Sequence, residues 1–201
     1  MTHHPAHSGL SGNIGRSLGN GSGGFGRMAG MLAIGAIAGL AAGQARKLAV
    51  QGPSMAAGDW MDALKLEHRI VEKLFEALLA TDETQGAKRN GLLGKIAYAL
   101  TKHANQEENV IYPALKESTP DGRAGDLVDD HAQIKTFIFE LKRMEASDPR
   151  WILRAAEFQQ LVERHVREEE DVIFPALFAG MSKEENARLT TMMNWEGYKV
   201  A

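Results

Sequence analysis

The chain contains no cysteine. That absence removes disulfides, thiolate catalysis, zinc fingers and iron–sulfur clusters together, while leaving either redox compartment open. Acidic residues are missing from the first 58 positions, which hold four bases, Arg16, Arg27, Arg46 and Lys47. The whole chain carries −3 and this stretch +4, so residues 59–201 carry −7. Tail and body are therefore different materials. An acidic body lacks the concentrated basic surface that phosphate recognition needs, so nucleic acid is not an expected partner. Alternating strand patterns of useful length are absent as well. The uncharged stretch MAGMLAIGAIAGLAAG, at 28–43, is sixteen residues, shorter than the roughly 20 needed to cross a bilayer.

Residues 1–27 are rich in Gly, Ser and Asn with few large apolar groups. Such a segment buries too little surface to offset the entropy of ordering, and disorder is expected. In the following segment, 28–50, Gly35, Gly39 and Gly43 recur every four residues, which would line one helical face with a groove for close helix approach. Three readings stay open there: a helix that associates with a membrane or with another copy of the chain, an export signal with Gly43 and Ala45 around a cleavage point, or a flexible Gly/Ala tail. Residues 51–58, with Gln51, Gly52, Pro53 and Ser54, read as a linker.

From Asp59 the pattern is helical. Asp59 is an expected N-cap for a helix to about residue 80, with Leu64, His68, Val71, Phe75 and Leu78 on one face. A second helix (about 91–116), a third (about 124–145) and a fourth (about 149–179) follow. Asp148 and Pro149 are placed to start the last of these, since proline at the first helical position loses no hydrogen bond. Ser182 and Glu185 form a capping-box pattern opening a fifth, short helix to about Asn194. The expected class is all-α: an up-down-up-down four-helix bundle over 59–180 with a short C-terminal helix over 181–201.

The body repeats itself. HANQEENVIYPAL, from His103, and HVREEEDVIFPAL, from His165, agree at 8 of 13 positions. His68 precedes His103 by 35 residues and His131 precedes His165 by 34, and an acid stands before each first histidine, Glu67 and Asp130. Each half is one helical hairpin. Of seven histidines, His3, His4 and His7 lie in the tail, where His3 and His4 offer only adventitious copper or nickel binding; the other four all occupy repeat-related positions.

Residues four apart share a helical face, so His103 with Glu107, and His165 with Glu169, each present an imidazole beside a carboxylate. Both pairs run in line with Leu, Ile and Val and point inward. Buried carboxylates are costly unless paired or bound to metal, and no Lys or Arg falls on those inner stripes. Four imidazoles and two carboxylates are too many for one zinc. They suit two metals with the glutamates between them, and imidazole with carboxylate favours iron or manganese over calcium or copper. Open positions would remain for a bridging oxygen and a small exogenous ligand.

Glu108, Glu168 and Glu170 point about 100° away from the inner face and read as solvated groups or as groups behind the ligands. Glu72, four residues after His68, is a possible additional ligand, but its repeat partner is Lys135. Pro113 and Pro175 should kink their helices. Tyr112 and Phe174 fill core or wall the pocket.

These motifs, H103-A-N-Q-E107 and H165-V-R-E-E169, each leading into Tyr-Pro or Phe-Pro, with His68 and His131 on the alternate helices, resemble the hemerythrin-like (HHE cation-binding) family over about residues 59–180. The resemblance implies a non-haem di-iron centre, oxo- or hydroxo-bridged, that binds O2 or related small molecules, with manganese a less favoured metal. Its ligands would be His68, His103, Glu107, His131, His165 and Glu169. Oxygen-carrying members supply a fifth histidine where this chain has Lys135, so the chain is similar to a bacterial branch with a more open centre. Three functions follow as expectations: O2 binding or oxygen or iron sensing, an enzyme consuming peroxide or nitric oxide, or an anchored structural protein stabilised by metal. A bacterial cytoplasmic body, membrane-associated through its N-terminal segment, is the expected location, with export left open.

Overall fold

The computed structural model describes residues 42–119 and 123–201. The expectations for residues 1–27 and for most of the Gly-spaced segment, 28–41, lie outside them. Helices are labelled α1 (42–56), α2 (Trp60–Leu79), α3 (Gly86–Gln106), α4 (Tyr112–Ser118), α5 (Arg123–Arg143), α6 (Pro149–Glu168), α7 (Phe174–Gly180) and α8 (Lys183–Val200). α3 runs into α4, and α6 into α7, through one wide π turn each, Glu107–Ile111 and Glu169–Ile173. The body is all-α. α2 packs on α3 and α6, and α5 on α6 and α3, closing a four-helix ring, with α8 laid across α2 and α3.

Local chemistry sets the ends as expected. Asp59 accepts from the Asp62 amide, Asp148 from the Arg150 amide with Pro149 starting α6, and Ser182 with Glu185 completes a capping box. The prolines behave differently from a plain kink. A proline ring clashes with the carbonyl four residues back. The wide turns bond Tyr112 N–H to Glu107 O and Phe174 N–H to Glu169 O, so Pro113 and Pro175 follow an already opened ladder and the helices continue.

Two helices run longer than the sequence pattern predicts. Residues 51–56, read as linker, continue α1, because Gln51 and Ser54 are buried: Gln51 Nε2 donates to Asn194 Oδ1 at 3.1 Å and Ser54 Oγ to Glu67 Oε1 at 2.5 Å. α8 extends to Val200, since α1 covers its far end, where Lys47 Nζ donates to the Tyr198 and Lys199 carbonyls at 3.2 and 2.9 Å and supplies positive charge at the helix C-terminus.

The core is divided. One apolar cluster gathers Val71, Phe75, Leu100, Ile134, Phe158 and Val162; a second gathers Trp60, Leu64, Ile111, Leu127, Ile173 and Phe174. On each bundle helix the inward histidine stands between residues of the first cluster and residues of the second. A polar layer therefore crosses the bundle between two apolar ones.

Candidate metal centre

His68 on α2, His103 on α3, His131 on α5 and His165 on α6 are all buried, and Glu107 and Glu169, the first residues of the two π turns, are fully buried. Their atoms converge. His68 Nε2 and His103 Nε2 lie 2.8 Å apart, His131 Nε2 and His165 Nε2 3.2 Å apart. Glu107 faces both halves, with Oε1 3.0 Å from His103 Nε2 and Oε2 3.3 Å from His131 Nε2. Glu169 does the same, with Oε2 3.4 Å from both His68 Nε2 and His165 Nε2. Donor atoms fall into two groups whose members lie within 4.8 Å of one another: His68, His103, Glu107 and Glu169, then Glu107, His131 and His165.

Whether these residues fit a metal is decided by two orphaned atoms. Glu107 Oε1 and Glu169 Oε2 accept no hydrogen bond despite complete burial. A buried carboxylate oxygen without a donor is costly. Ring nitrogens and carboxylate oxygens that face one small space are the donor set that a divalent cation with mixed N,O preference satisfies. The cluster can hold metal.

Behind the converging nitrogens, the opposite ring nitrogens meet carboxylates. His68 Nδ1 donates to Glu170 Oε1 at 2.8 Å and His131 Nδ1 to Glu108 Oε1 at 2.9 Å, so each hairpin's second glutamate holds a histidine of the other hairpin. His103 Nδ1 donates to Glu67 Oε2 at 3.3 Å. His165 Nδ1 stands 3.4 Å from Asp130 Oδ2 without a hydrogen bond. Carboxylates in this position fix the tautomer and leave the inner nitrogen free to bind. Glu168, by contrast, is exposed.

The electrostatics follow the same lines. Burial pushes His103 toward neutrality, but the Glu107 and Glu67 carboxylates outweigh it and raise its pKa to about 10. His68 is raised for the same reason, against burial and the His103 charge, by Glu169 and Glu170. His131 is raised, against burial, chiefly by Glu107. Burial alone would lift Glu107, yet His103 and His131 hold it well below the usual carboxylate range. Protons favoured on His68, His103 and His131 do part of what cations would do in the metal-free protein, and metal binding must displace them.

Tyr112, expected to fill core or wall the pocket, takes part through its hydroxyl. Its hydroxyl donates to Glu169 Oε1 at 2.7 Å and lies 3.3 Å from Glu107 Oε2 and 3.2 Å from His131 Nε2. Burial and the two carboxylates push its pKa well up, so the phenol keeps its proton. Its repeat partner Phe174 stacks on His68 with ring centroids 6.2 Å apart. Glu72 is not brought to the cluster: it is exposed and lines a surface cleft with Glu76 and Glu163. Lys135 sits at the rim of a cavity of about 20 Å³ lined by the four histidines, Leu100 and Val162 among others, with its ammonium 3.1 Å from Glu108. That cavity admits roughly one water-sized molecule.

A signal for the wide turns was present. His103, Glu107, Ile111 and Leu115 are all buried at a spacing of four, as are His165, Glu169, Ile173 and Leu177. A regular helix drifts about 40° per such step, so three steps kept on one face take up about one extra residue over the run. Lys102 gave no comparable signal. It is buried, but its partners are Glu67 at 2.5 Å and Gln106 at 3.1 Å rather than Glu107 or Glu169.

The sequence model of the hemerythrin HHE cation binding domain matches residues 61–177. The chain belongs to this family. In structure it is similar to a hemerythrin HHE cation binding domain-containing protein from Mycobacterium kansasii, with a TM-score of 0.63 and 22% identity over 71% of this chain and 86% of that one. Among curated relatives, a DNA nickase of Nostoc sp. is 30% identical over 130 residues, covering 65% of this chain and 36% of that protein. An uncharacterized hemerythrin-like protein of Schizosaccharomyces pombe is 23% identical over 133 residues, covering 65% of this chain and 64% of that protein. The chain thus spans about a third of the first relative and just under two thirds of the second. As an HHE-domain protein it has its cation-binding motif residues where two hairpins meet.

Proposed function

We propose that this chain is a non-haem di-iron protein that binds O2 or a related small molecule. The observation that carries the reading is the double facing of the two glutamates: Glu107 turns one oxygen to His103 and the other to His131, and Glu169 Oε2 faces both His68 and His165. His68, His103, His131 and His165 would hold two iron ions with Glu107 and Glu169 between them. Iron there supplies open coordination positions and a change of oxidation state. The chain's own residues do the rest. Apolar side chains around the cavity exclude water, Tyr112 keeps a proton beside both carboxylates, and the outer carboxylates fix each ring. The cavity's size supports a diatomic or peroxide over a larger ligand. A body that carries −7 disfavours nucleic acid as a partner.

Consumption of peroxide or nitric oxide is the second reading, favoured by the Tyr112 hydroxyl, a hydrogen-bond donor 2.7 Å from Glu169 and beside the cluster. Anaerobic reconstitution with ferrous iron, followed by optical spectra on adding oxygen, separates the two. A spectrum that reverses under vacuum supports binding. Irreversible oxidation with loss of added peroxide or nitric oxide supports turnover. Fewer than two metals per chain would sink both. Among the described residues no helix is long and apolar enough to cross a membrane. Association through residues 28–50 with a membrane or a second copy is a further part of the proposal, tested by removing residues 1–41 and measuring vesicle binding and oligomeric state.

A further inference from the structure

The two hairpins hold their second histidines unequally. Glu67, behind His103, is buried and saturated: Oε1 receives Ser54 Oγ and Lys102 Nζ, both at 2.5 Å, while Oε2 faces His103 Nδ1 at 3.3 Å. Asp130, behind His165, is 27% exposed and one methylene shorter, and makes no hydrogen bond to the ring. At the position matching Lys102 stands Arg164, exposed and bonded to the Gln160 carbonyl at 3.1 Å. A carboxylate orients an imidazole only as firmly as it is itself held. Glu67 is clamped at one oxygen, which aims the other.

One jaw of that clamp comes from outside the family segment. Ser54 is 2% exposed and belongs to α1, before the matched residues 61–177. α1 has other anchors that do not touch Glu67: Gln51 to Asn194, Lys47 to the end of α8, and the missing side chain of Gly197, where a Cβ would lie 2.4 Å from Gln51 Oε1. The helix is therefore seated independently, and its serine is free to serve the centre.

We infer that Ser54 is a positioning residue of the metal centre: through its hydrogen bond to Glu67 it fixes the His103 ring and makes the His68–His103 half of the site the more tightly metal-retaining half. This rests on the two-metal reading above. The test uses the full chain loaded anaerobically with ferrous iron and follows iron release to excess bipyridine. Two phases are expected. Ser54→Ala should speed the slower one about tenfold, the low end for groups behind metal ligands, and leave the faster one within about twofold. Ser54→Thr, which keeps the hydroxyl, should restore it. Gln51→Ala, which loosens α1 without removing the hydroxyl, should leave both phases in place. Unchanged release in Ser54→Ala, or equal acceleration of both phases with no rescue by threonine, overturns the inference.

A second readout needs no metal. In the metal-free full chain, the ring nitrogen resonances of His103 should move on Ser54→Ala while those of His165 stay. Absence of that selective shift overturns the inference. If wild type holds fewer than two irons yet the shift occurs, the two-metal reading fails and the positioning role of Ser54 stands.

Discussion

His68 Nδ1 donates to the Glu170 carboxylate across the bundle at 2.8 Å, a contact between the first helix of one hairpin and the last of the other. His131 and Glu108 repeat it in reverse at 2.9 Å. Groups in this position contribute roughly 10- to 100-fold in metal affinity. Glu170→Gln and Glu108→Gln are each expected to weaken iron binding by about that factor, with helix content unchanged. Competition against a calibrated chelator measures it, and wild-type affinity in both variants would remove the cross-hairpin role.

The shared carboxylate predicts unequal losses. Glu107 reaches donors of both groups, whereas His165 belongs to one. Elemental analysis of reconstituted protein should find both irons depleted in Glu107→Ala and one retained in His165→Ala. Glu72→Ala, on the exposed face, should keep the wild-type content.

The pH dependence has a definite sign. His103 is raised from 6.5 to about 10, so its contribution to metal-free stability is fully present below pH 6.5 and is lost as pH rises through about 10. Glu67 is held at about 2 against an ordinary 4.5, burial being outweighed by His103 and Lys102. Its contribution is present above pH 4.5 and is lost as pH falls toward 2. Thermal melts of metal-free protein should peak between those limits. Iron binding must expel imidazole protons, so iron affinity should rise with pH across the same range, which titrations at several pH values will show.

Tyr112→Phe copies the residue found at the repeat position, Phe174. The ring stays and the hydroxyl on Glu169, Glu107 and His131 goes. Removing a hydrogen bond to a charged group costs about 1.5–3 kcal/mol, to be read by denaturant unfolding of metal-free protein. Oxygen addition to the iron-loaded variant should give an altered spectrum if the phenol serves the centre, and an unaltered one if it only fills space.

Gly197→Ala tests the seat of α1. The new methyl would meet the end of the Gln51 side chain, forcing it off Asn194 and loosening α1, while alanine's helix preference, worth up to about 1 kcal/mol, favours α8 itself. Limited proteolysis should then cut within 42–56 before the bundle opens.

The inward histidines and glutamates were legible in the sequence because burial on a helix shows as spacing, and a repeated pair of hairpins shows that spacing twice. Partnership across helices leaves no such trace. Glu108 and Glu170 fell about 100° off the inner face and still met histidines, because the face they occupy is turned to the neighbouring hairpin. Residues 51–56 looked like linker because their buried members, Gln51 and Ser54, are polar and hydrophobic periodicity does not register them. Tyr112 read only as core or pocket wall because an aromatic ring satisfies the apolar pattern whatever its hydroxyl does.

The wide turns place a constraint on length as well as on residue type. Each supplies one residue more than a regular turn between its glutamate and its proline. Deleting Asn109 or Asp171 would remove no ligand and no core side chain, yet it would leave a regular turn, in which the ring of Pro113 or Pro175 clashes with the carbonyl four residues back. Single-residue deletions there should be more damaging than most substitutions at the same two positions, and the count of residues from histidine to proline is itself part of the binding site.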